Sequence, residues 1–142
     1  MYLLDTNHLT MLQRGGIAAR TLESKLAAID STQLATTIVS YHEQTQGWLG
    51  EANRLPSLKP EQQVKIYQRL EATLKMFSGI PVIGYDLQAA QEFQRLRKLH
   101  RRIGAMDLRI AAIAITQNAI LLTQNLKDFT DIQNLKVEDW SY

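Results

Sequence analysis

Four residues with oxygen-bearing side chains stand beside apolar segments, where a charged or amide group is costly to keep without a partner. They are Asp5, Glu43, Asp107 and Asn125. Asp5 closes the apolar run 1–4, and Asn125 follows the apolar run 119–122. Oxygen ligands delivered from several separate segments are what a hard cation such as Mg²⁺ or Mn²⁺ requires. The four residues therefore indicate a metal site assembled by the fold.

A cluster of basic residues precedes Asp107 in the sequence. It comprises Arg95, Arg97, Lys98, His100, Arg101 and Arg102. A positive patch beside an acidic site is able to hold a polyanion over a metal centre. A solvated helix face is the alternative, and it is the commoner explanation of an isolated basic run. The net charge of the whole chain, +2, does not by itself indicate a nucleic-acid-binding protein.

The composition is that of an ordinary folded domain. The chain has 142 residues, 45% hydrophobic and 21% charged, which is enough for one domain spanning 1–142 with its own core. It contains no cysteine, so disulfides and thiolate metal sites are excluded. The longest apolar stretch, 110–115, is too short to span a membrane, and Asp5 comes too early for a signal peptide. We expect a cytoplasmic protein without membrane association.

Hydrophobic periodicity predicts strands that alternate with helices. The predicted strands are 2–4, 33–37, 80–83, 120–123 and 135–138, and the predicted helices are 6–13, 17–29, 40–51, 60–77, 87–99 and 104–118. This order predicts an α/β fold with a parallel sheet covered by helices on both faces. Sites in such folds form beyond the carboxyl ends of the strands, where Asp5 and 123–125 lie.

Each acidic residue also has a purely structural interpretation. Asp5 is a suitable N-cap for the helix that follows it, and Asp107 is placed to cap its own helix or interact with the helix dipole. Ser40 and Glu43 have the spacing of a capping box, in which the glutamate reaches back to a backbone N–H. Taken singly, the structural and functional interpretations are about equally good.

Four short motifs occur in order and span nearly the whole chain. They are Leu4-Asp5-Thr6-Asn7, then 37–47 with Glu43 four positions before Gly47, then 104–112 with Asp107 ahead of an alanine-rich helix, then 122–129 with Thr123, Asn125 and Asp128-Phe129. Together they resemble the motifs of the PIN-domain ribonucleases, specifically the VapC-type toxins of bacterial toxin–antitoxin pairs. The ordered set is more specific than any one motif.

The resemblance implies a PIN-like three-layer α/β/α fold with a central parallel sheet of four to five short strands. It implies a metal-dependent endoribonuclease whose cleavage leaves a 5′-phosphate and a 3′-hydroxyl. Asp5, Glu43 and Asp107 correspond to ligands of Mg²⁺ or Mn²⁺ in the family. Asn125 stands at the fourth catalytic position, where many relatives carry aspartate. This departure leaves open whether the site holds one metal ion or two.

The resemblance also implies supporting residues and partners. The supporting residues of the site are Thr6, Asn7, Thr123 and Asp128. The basic cluster supplies the RNA-binding residues Arg97, Lys98, Arg101 and Arg102. The partners implied are an RNA substrate, a small cognate antitoxin protein and a second copy of the chain in a homodimer.

Other functions are compatible with an aspartate after the first strand. A phosphotransferase of the haloacid-dehalogenase type requires a second aspartate where Asn7 stands, and a receiver domain requires an acidic pair that is absent here. A non-catalytic module that binds RNA or a protein is a stronger alternative, because Asn125 brings no charge. We expect incidental roles for the histidines, apart from a phosphate contact at His100.

Overall fold

The chain alternates between strands and helices throughout the computed structural model, which describes residues 1–142. The strands are β1 (Tyr2–Leu4), β2 (Leu34–Thr37), β3 (Val82–Ile83), β4 (Ile120–Leu122) and β5 (Lys136–Glu138). The helices are α1 (Thr6–Arg14), α2 (Ile17–Ala27), α3 (Ile38–Ala52), α4 (Pro60–Ser78), α5 (Leu87–Leu99), α6 (Ala105–Thr116) and α7 (Leu126–Phe129). Short 3₁₀ turns at Ser31–Gln33 and Leu55–Ser57 precede β2 and α4.

All five strands are parallel and lie in the order β3-β2-β1-β4-β5. The chain adds β2 and β3 on one side of β1, and later adds β4 and β5 on the other side. The carboxyl ends of β1 and β4 therefore lie next to each other where the direction of addition reverses. Ligand sites of open α/β sheets form at such a point. The predicted parallel sheet is confirmed.

Alternating side chains along the strands divide the core into two layers. On one face, Leu3, Ala35 and Leu121 pack in a buried cluster with residues of α5 and α6. On the other face, Leu4 and Leu122 pack with residues of α1 and α4. Helices thus cover both faces of the sheet, as a parallel sheet requires. This arrangement is the predicted three-layer α/β/α architecture.

Helix α6 is the most thoroughly buried helix, and it positions Asp107. Its buried residues are Leu108, Ile110, Ala111, Ala112, Ile113 and Ala114. The first turn of a helix fixed in this way provides a rigid support for Asp107. Asn118, with a left-handed φ of 51°, reverses the chain after the helix. Neither α6 nor any other helix has the length and hydropathy needed to cross a membrane.

Most differences between the predicted and observed elements are shifts of a few residues at their ends, but one changes an interpretation. Helix α3 begins at Ile38 rather than Ser40, because the Thr37 hydroxyl caps it by accepting the Ser40 N–H at 3.1 Å. The capping-box interpretation of Ser40 and Glu43 is therefore wrong. Helix α7 is absent from the sequence prediction, since four residues carry too little periodicity to indicate a helix.

Candidate active site

A polar cleft of about 460 Å³ opens at the carboxyl ends of β1 and β4. The structure brings all four predicted catalytic residues into its lining: Asp5, Glu43, Asp107 and Asn125. They come from four different segments, namely the end of β1, helix α3, the first turn of α6 and the loop after β4. Thr6 and Asn7 also line this cleft, which we call the acidic cleft.

Asp5 is buried at the base of the acidic cleft, with 3% of its surface exposed. Its Oδ1 accepts the backbone N–H of Thr6 at 2.6 Å, and its Oδ2 accepts the Thr123 hydroxyl at 2.7 Å. Burial raises the pKa of Asp5 and the charge of Glu43 adds to the rise, although these hydrogen bonds oppose it. Asp5 is also the N-cap of α1. Its capping and site interpretations are therefore both compatible with the geometry.

Glu43 is linked to Asp5 through Thr6. The Thr6 hydroxyl donates to Glu43 Oε1 at 2.8 Å, while the Thr6 N–H donates to Asp5. Burial is the main cause that raises the pKa of Glu43, and the negative charge of Asp107 adds to it. Thr6 thus holds two carboxylates at fixed places in the cleft.

Asp107 lies in the first turn of α6 and its carboxylate makes no capping hydrogen bond. The interpretation of Asp107 as a cap is therefore wrong, and Gly104 occupies the N-cap position. Burial, followed by the charges of Asp5 and Asp128, raises the pKa of Asp107 to about 6. A half-buried carboxyl at the N-terminus of a helix would otherwise be favoured in its charged form. Burial and the neighbouring negative charges together therefore outweigh the helix N-terminus, with burial the larger cause.

Asn125 is bonded to its own loop rather than to the other three residues. Its Nδ2 donates to Asp128 Oδ2 at 2.9 Å, and its backbone N–H donates to the Thr123 hydroxyl oxygen at 3.0 Å. Asp128 does not line the acidic cleft, but its charge contributes to the raised pKa of Asp107. Asp128 therefore contacts Asn125 without lining the cleft, and its charge adds negative potential to the site.

The oxygen donors of the acidic cleft are chemically suited to binding a hard divalent cation. All the groups are oxygen donors. Burial raises the pKa of each carboxyl, and the charge of a neighbouring carboxylate adds a repulsion that a bound cation relieves. No three acidic or imidazole groups converge closely enough to hold one ion in this side-chain arrangement. Oxygens of Asp5 and Glu43 are occupied by Thr6 and Thr123. Joint ligation of one ion therefore requires these side chains to rearrange.

The predicted RNA-binding residues lie around a second cavity, of about 600 Å³, between the end of α5 and the start of α6. We call it the basic cavity, and its charged or titratable lining residues are Arg97, Lys98, His100 and Arg101. None of these side chains forms an ion pair, whereas Arg95 on the same helix is paired with Glu92. Arg102 is exposed nearby but does not line the basic cavity.

Several residues of the acidic cleft are absent from the sequence prediction. They are Thr10, Met11, Arg14, Gly15 and Gln124. Asn7, Thr10, Met11 and Arg14 are spaced three or four residues apart on α1, so they share one face of that helix. Once Asn7 is assigned to the site, this spacing is enough to predict that the other three residues lie on the same side of α1. Arg14 brings a positive charge to a cleft that is otherwise acidic.

A sequence model of the PIN domain matches residues 2–135. The chain belongs to the PIN domain family. Among similar proteins, "Ribonuclease VapC1" of Haemophilus influenzae (strain R2866) is 28% identical over 144 positions, which cover 99% of this chain and 98% of the relative. The structure of VapBC-1 from nontypeable Haemophilus influenzae superposes with a TM-score of 0.77 at 25% identity, covering 99% of this chain and 98% of that one.

A toxin–antitoxin complex from Klebsiella pneumoniae has the same fold as this PIN domain, with a TM-score of 0.70 at 25% identity and coverage of 100% and 98%. The resemblance indicated by the four motifs is therefore confirmed at the level of the PIN domain family. The haloacid-dehalogenase and receiver interpretations are excluded, because the PIN domain match covers nearly the whole chain.

Replacing Asp107 with asparagine is expected to stabilise the metal-free protein at neutral pH. The pKa of Asp107 is about 6 in the folded state against an ordinary value of 3.8, so the native state binds this proton more tightly. Stability from the protonated group is complete below pH 3.8 and is lost as the pH rises through about 6. Because the side chain is partly exposed, we expect a gain on the order of only 1 kcal/mol.

The measurement is urea unfolding in EDTA near pH 4 and at neutral pH. The wild type and Asp107→Asn should differ at neutral pH and nearly coincide at the lower pH. Asp86→Asn is the matched control, since Asp86 caps α5 through the Ala89 N–H and asparagine caps almost as well. A less stable Asp107→Asn protein at neutral pH would show instead that the carboxylate supports α6.

Proposed function

We propose that the chain is a Mg²⁺- or Mn²⁺-dependent endoribonuclease that hydrolyses RNA phosphodiester bonds as the toxin of a toxin–antitoxin pair. The observation that carries this proposal is the acidic cleft, which gathers Asp5, Glu43 and Asp107 and raises the pKa of each, mainly by burial and further by the charge of a neighbouring carboxylate. The relative named as a ribonuclease supports the activity, and the structural relatives support the toxin assignment. Residues 1–142 would act as a single cytoplasmic domain.

The proposed cation ligands are Asp5, Glu43 and Asp107. When bound, Mg²⁺ or Mn²⁺ supplies Lewis-acid activation of water and neutralises charge that develops on the scissile phosphate. Thr6 and Thr123 orient the carboxylates through the hydrogen bonds described above. Because Asn125 gives its side-chain N–H to Asp128, its carbonyl oxygen is left free for the cleft. Asn125 would thus contribute a neutral oxygen at the fourth catalytic position, where many relatives carry aspartate.

The basic cavity is the proposed site for the RNA backbone. Arg97, Lys98 and Arg101 are cations without ion-pair partners, and such groups bind phosphate by displacing condensed counterions. The first turn of α6 separates the two sites, since Leu108 lines the basic cavity and Asp107 lines the acidic cleft. A strand whose scissile phosphate lies in the cleft would therefore place a neighbouring phosphate among these cations, with Arg102 nearby.

We propose two protein partners, a small antitoxin and a second copy of the chain in a homodimer. The antitoxin is supported by the structural relative that is a toxin–antitoxin complex. Helix α4 carries apolar side chains that are mostly exposed, namely Val64 at 54%, Tyr67 at 59% and Leu74 at 59%. Such a surface is suited to contact with one of these partners.

A non-catalytic module that binds RNA or a protein is the second candidate. It is favoured by the uncharged Asn125 and by the lack of three converging ligand groups in this side-chain arrangement. The basic cavity would serve such a module equally well. Cleavage assays distinguish it from a nuclease, because a binding module need not respond to Mn²⁺.

Purified protein is expected to cut a pool of tRNA and rRNA into discrete fragments with Mg²⁺ or Mn²⁺ and to leave it intact with EDTA. Asp5→Asn should abolish cleavage without unfolding the protein, because the asparagine Oδ1 still accepts the Thr6 N–H and its Nδ2 can donate to the Thr123 hydroxyl oxygen. Asp131→Asn, at an exposed acid outside the cleft, is the matched control. RNA binding without cleavage in any metal would favour the binding module.

Replacing Arg97 and Arg101 together with alanine is expected to weaken RNA binding and its dependence on salt. Each lost contact with single-stranded RNA should reduce the slope of log K against log salt by about 0.7. Fluorescence anisotropy with labelled RNA over a range of salt concentrations measures both quantities. Arg95→Ala serves as the control, because Arg95 is already paired with Glu92. Equal salt slopes in all three proteins would remove the basic cavity from the RNA-binding site.

A further inference from the structure

His8 is completely buried beside the acidic cleft, and the proposed chemistry does not use it. The backbone N–H of Trp140 lies 3.3 Å from His8 Nε2. Because a backbone N–H only donates, Nε2 must be the acceptor of this hydrogen bond. Burial lowers the pKa of His8 and outweighs the opposing charge of Asp139, whose carboxylate lies 3.7 Å from Nε2. A ring nitrogen that accepts a hydrogen bond carries no proton, so the proton of the His8 ring is on Nδ1.

The protonated Nδ1 of His8 determines the orientation of the Asn7 amide. Nδ1 lies 3.3 Å from Asn7 Oδ1, so it donates to that oxygen. The backbone N–H of Gln124 also lies 3.3 Å from the same oxygen and donates to it. Two donors that converge on one atom require that atom to be the amide oxygen rather than the nitrogen. The Asn7 nitrogen, Nδ2, is left without a protein partner.

The acidic cleft has few neutral donors available for an anionic substrate. The side chains of Thr6, Thr10 and Asn125 already donate to protein oxygens. The three carboxylates offer acceptors that repel a phosphate. Asn7 lines the same cleft with an unused amide N–H₂ group. An amide turned the other way would instead present its oxygen to the phosphate.

We infer that Asn7 Nδ2 donates a hydrogen bond to a phosphate oxygen of RNA in the acidic cleft, and that His8 is a positioning residue that holds the amide in this orientation. The inference rests on the proposed function, because it names the substrate contact of the same site. Trp140 supports the arrangement from the C-terminal segment, where its ring packs on Tyr2 with the centroids 4.8 Å apart. His8 thus has defined partners, in contrast to the incidental role expected from the sequence.

Four variants separate the donor role from simple structural support. Asn7→Ala removes the proposed donor. His8→Gln keeps an acceptor near the Nε2 position but loses the donor near Nδ1, and His8→Asn keeps the donor near Nδ1. The fourth protein combines Asn7→Ala with His8→Gln. The readouts are KM and kcat for RNA cleavage with Mg²⁺, the affinity for labelled RNA in EDTA, and thermal stability.

Asn7→Ala and His8→Gln are each expected to raise KM and weaken RNA affinity about tenfold, the loss typical of a hydrogen bond to a charged group. Their kcat values should change much less. The double variant should be no worse than Asn7→Ala alone, because His8 acts only through Asn7. His8→Asn should rescue most of the loss, although both His8 variants are expected to lower thermal stability.

Wild-type cleavage with an unchanged KM in Asn7→Ala would overturn the inference and leave the proposed function intact. Additive effects in the double variant, or equal losses in His8→Gln and His8→Asn, would overturn the positioning role. If the wild type does not cleave RNA, the proposed function fails and RNA affinity alone decides the inference. If the His8 variants do not fold, Asn7→Ala decides it, since Asn7 is only partly buried.

Discussion

Repulsion among partly buried carboxylates is the constraint on which this site depends. The carboxyl ends of β1 and β4 lie side by side, and Asp5, Glu43 and Asp107 gather at that point from three different elements. For each of them, burial and the charge of another carboxylate raise the pKa. The buried packing of α6 and of the central strands holds these groups together despite their repulsion. Binding of a divalent cation would relieve this repulsion, and that relief would contribute to the affinity for the cation.

Residues that stabilise the local structure also organise the site. Asp5 is the N-cap of α1 and a member of the acidic cleft, so one side chain performs both tasks. Thr6 begins α1 and holds Asp5 and Glu43 through two hydrogen bonds. Thr123 directly follows β4, donates to Asp5 and accepts the N–H of Asn125. Substitutions at these threonines would therefore disturb the position of the carboxylates before they disturb the fold.

Local patterns in the sequence were sufficient to predict the fold and the neighbourhood of the site. The apolar runs and helical periodicity predict every strand within a few residues, and the end of β1 places Asp5. Contacts between distant residues have no such local signal. Glu43 has the spacing of a capping box. In the structure Thr37 caps α3, and the Glu43 carboxylate instead accepts a hydrogen bond from the Thr6 hydroxyl. The link from Trp140 through His8 to Asn7 likewise depends on tertiary packing alone.

Calorimetric titration with Mn²⁺ near pH 6, repeated in two buffers of different ionisation enthalpy, tests the central claim most directly. We predict saturable binding that releases protons, because a cation displaces the proton of Asp107, whose pKa is about 6. Glu43→Gln should weaken this binding, and Asp131→Asn should leave it unchanged. An absence of saturable binding, or equal affinity in the wild type and Glu43→Gln, would contradict the assignment of a metal centre to the acidic cleft.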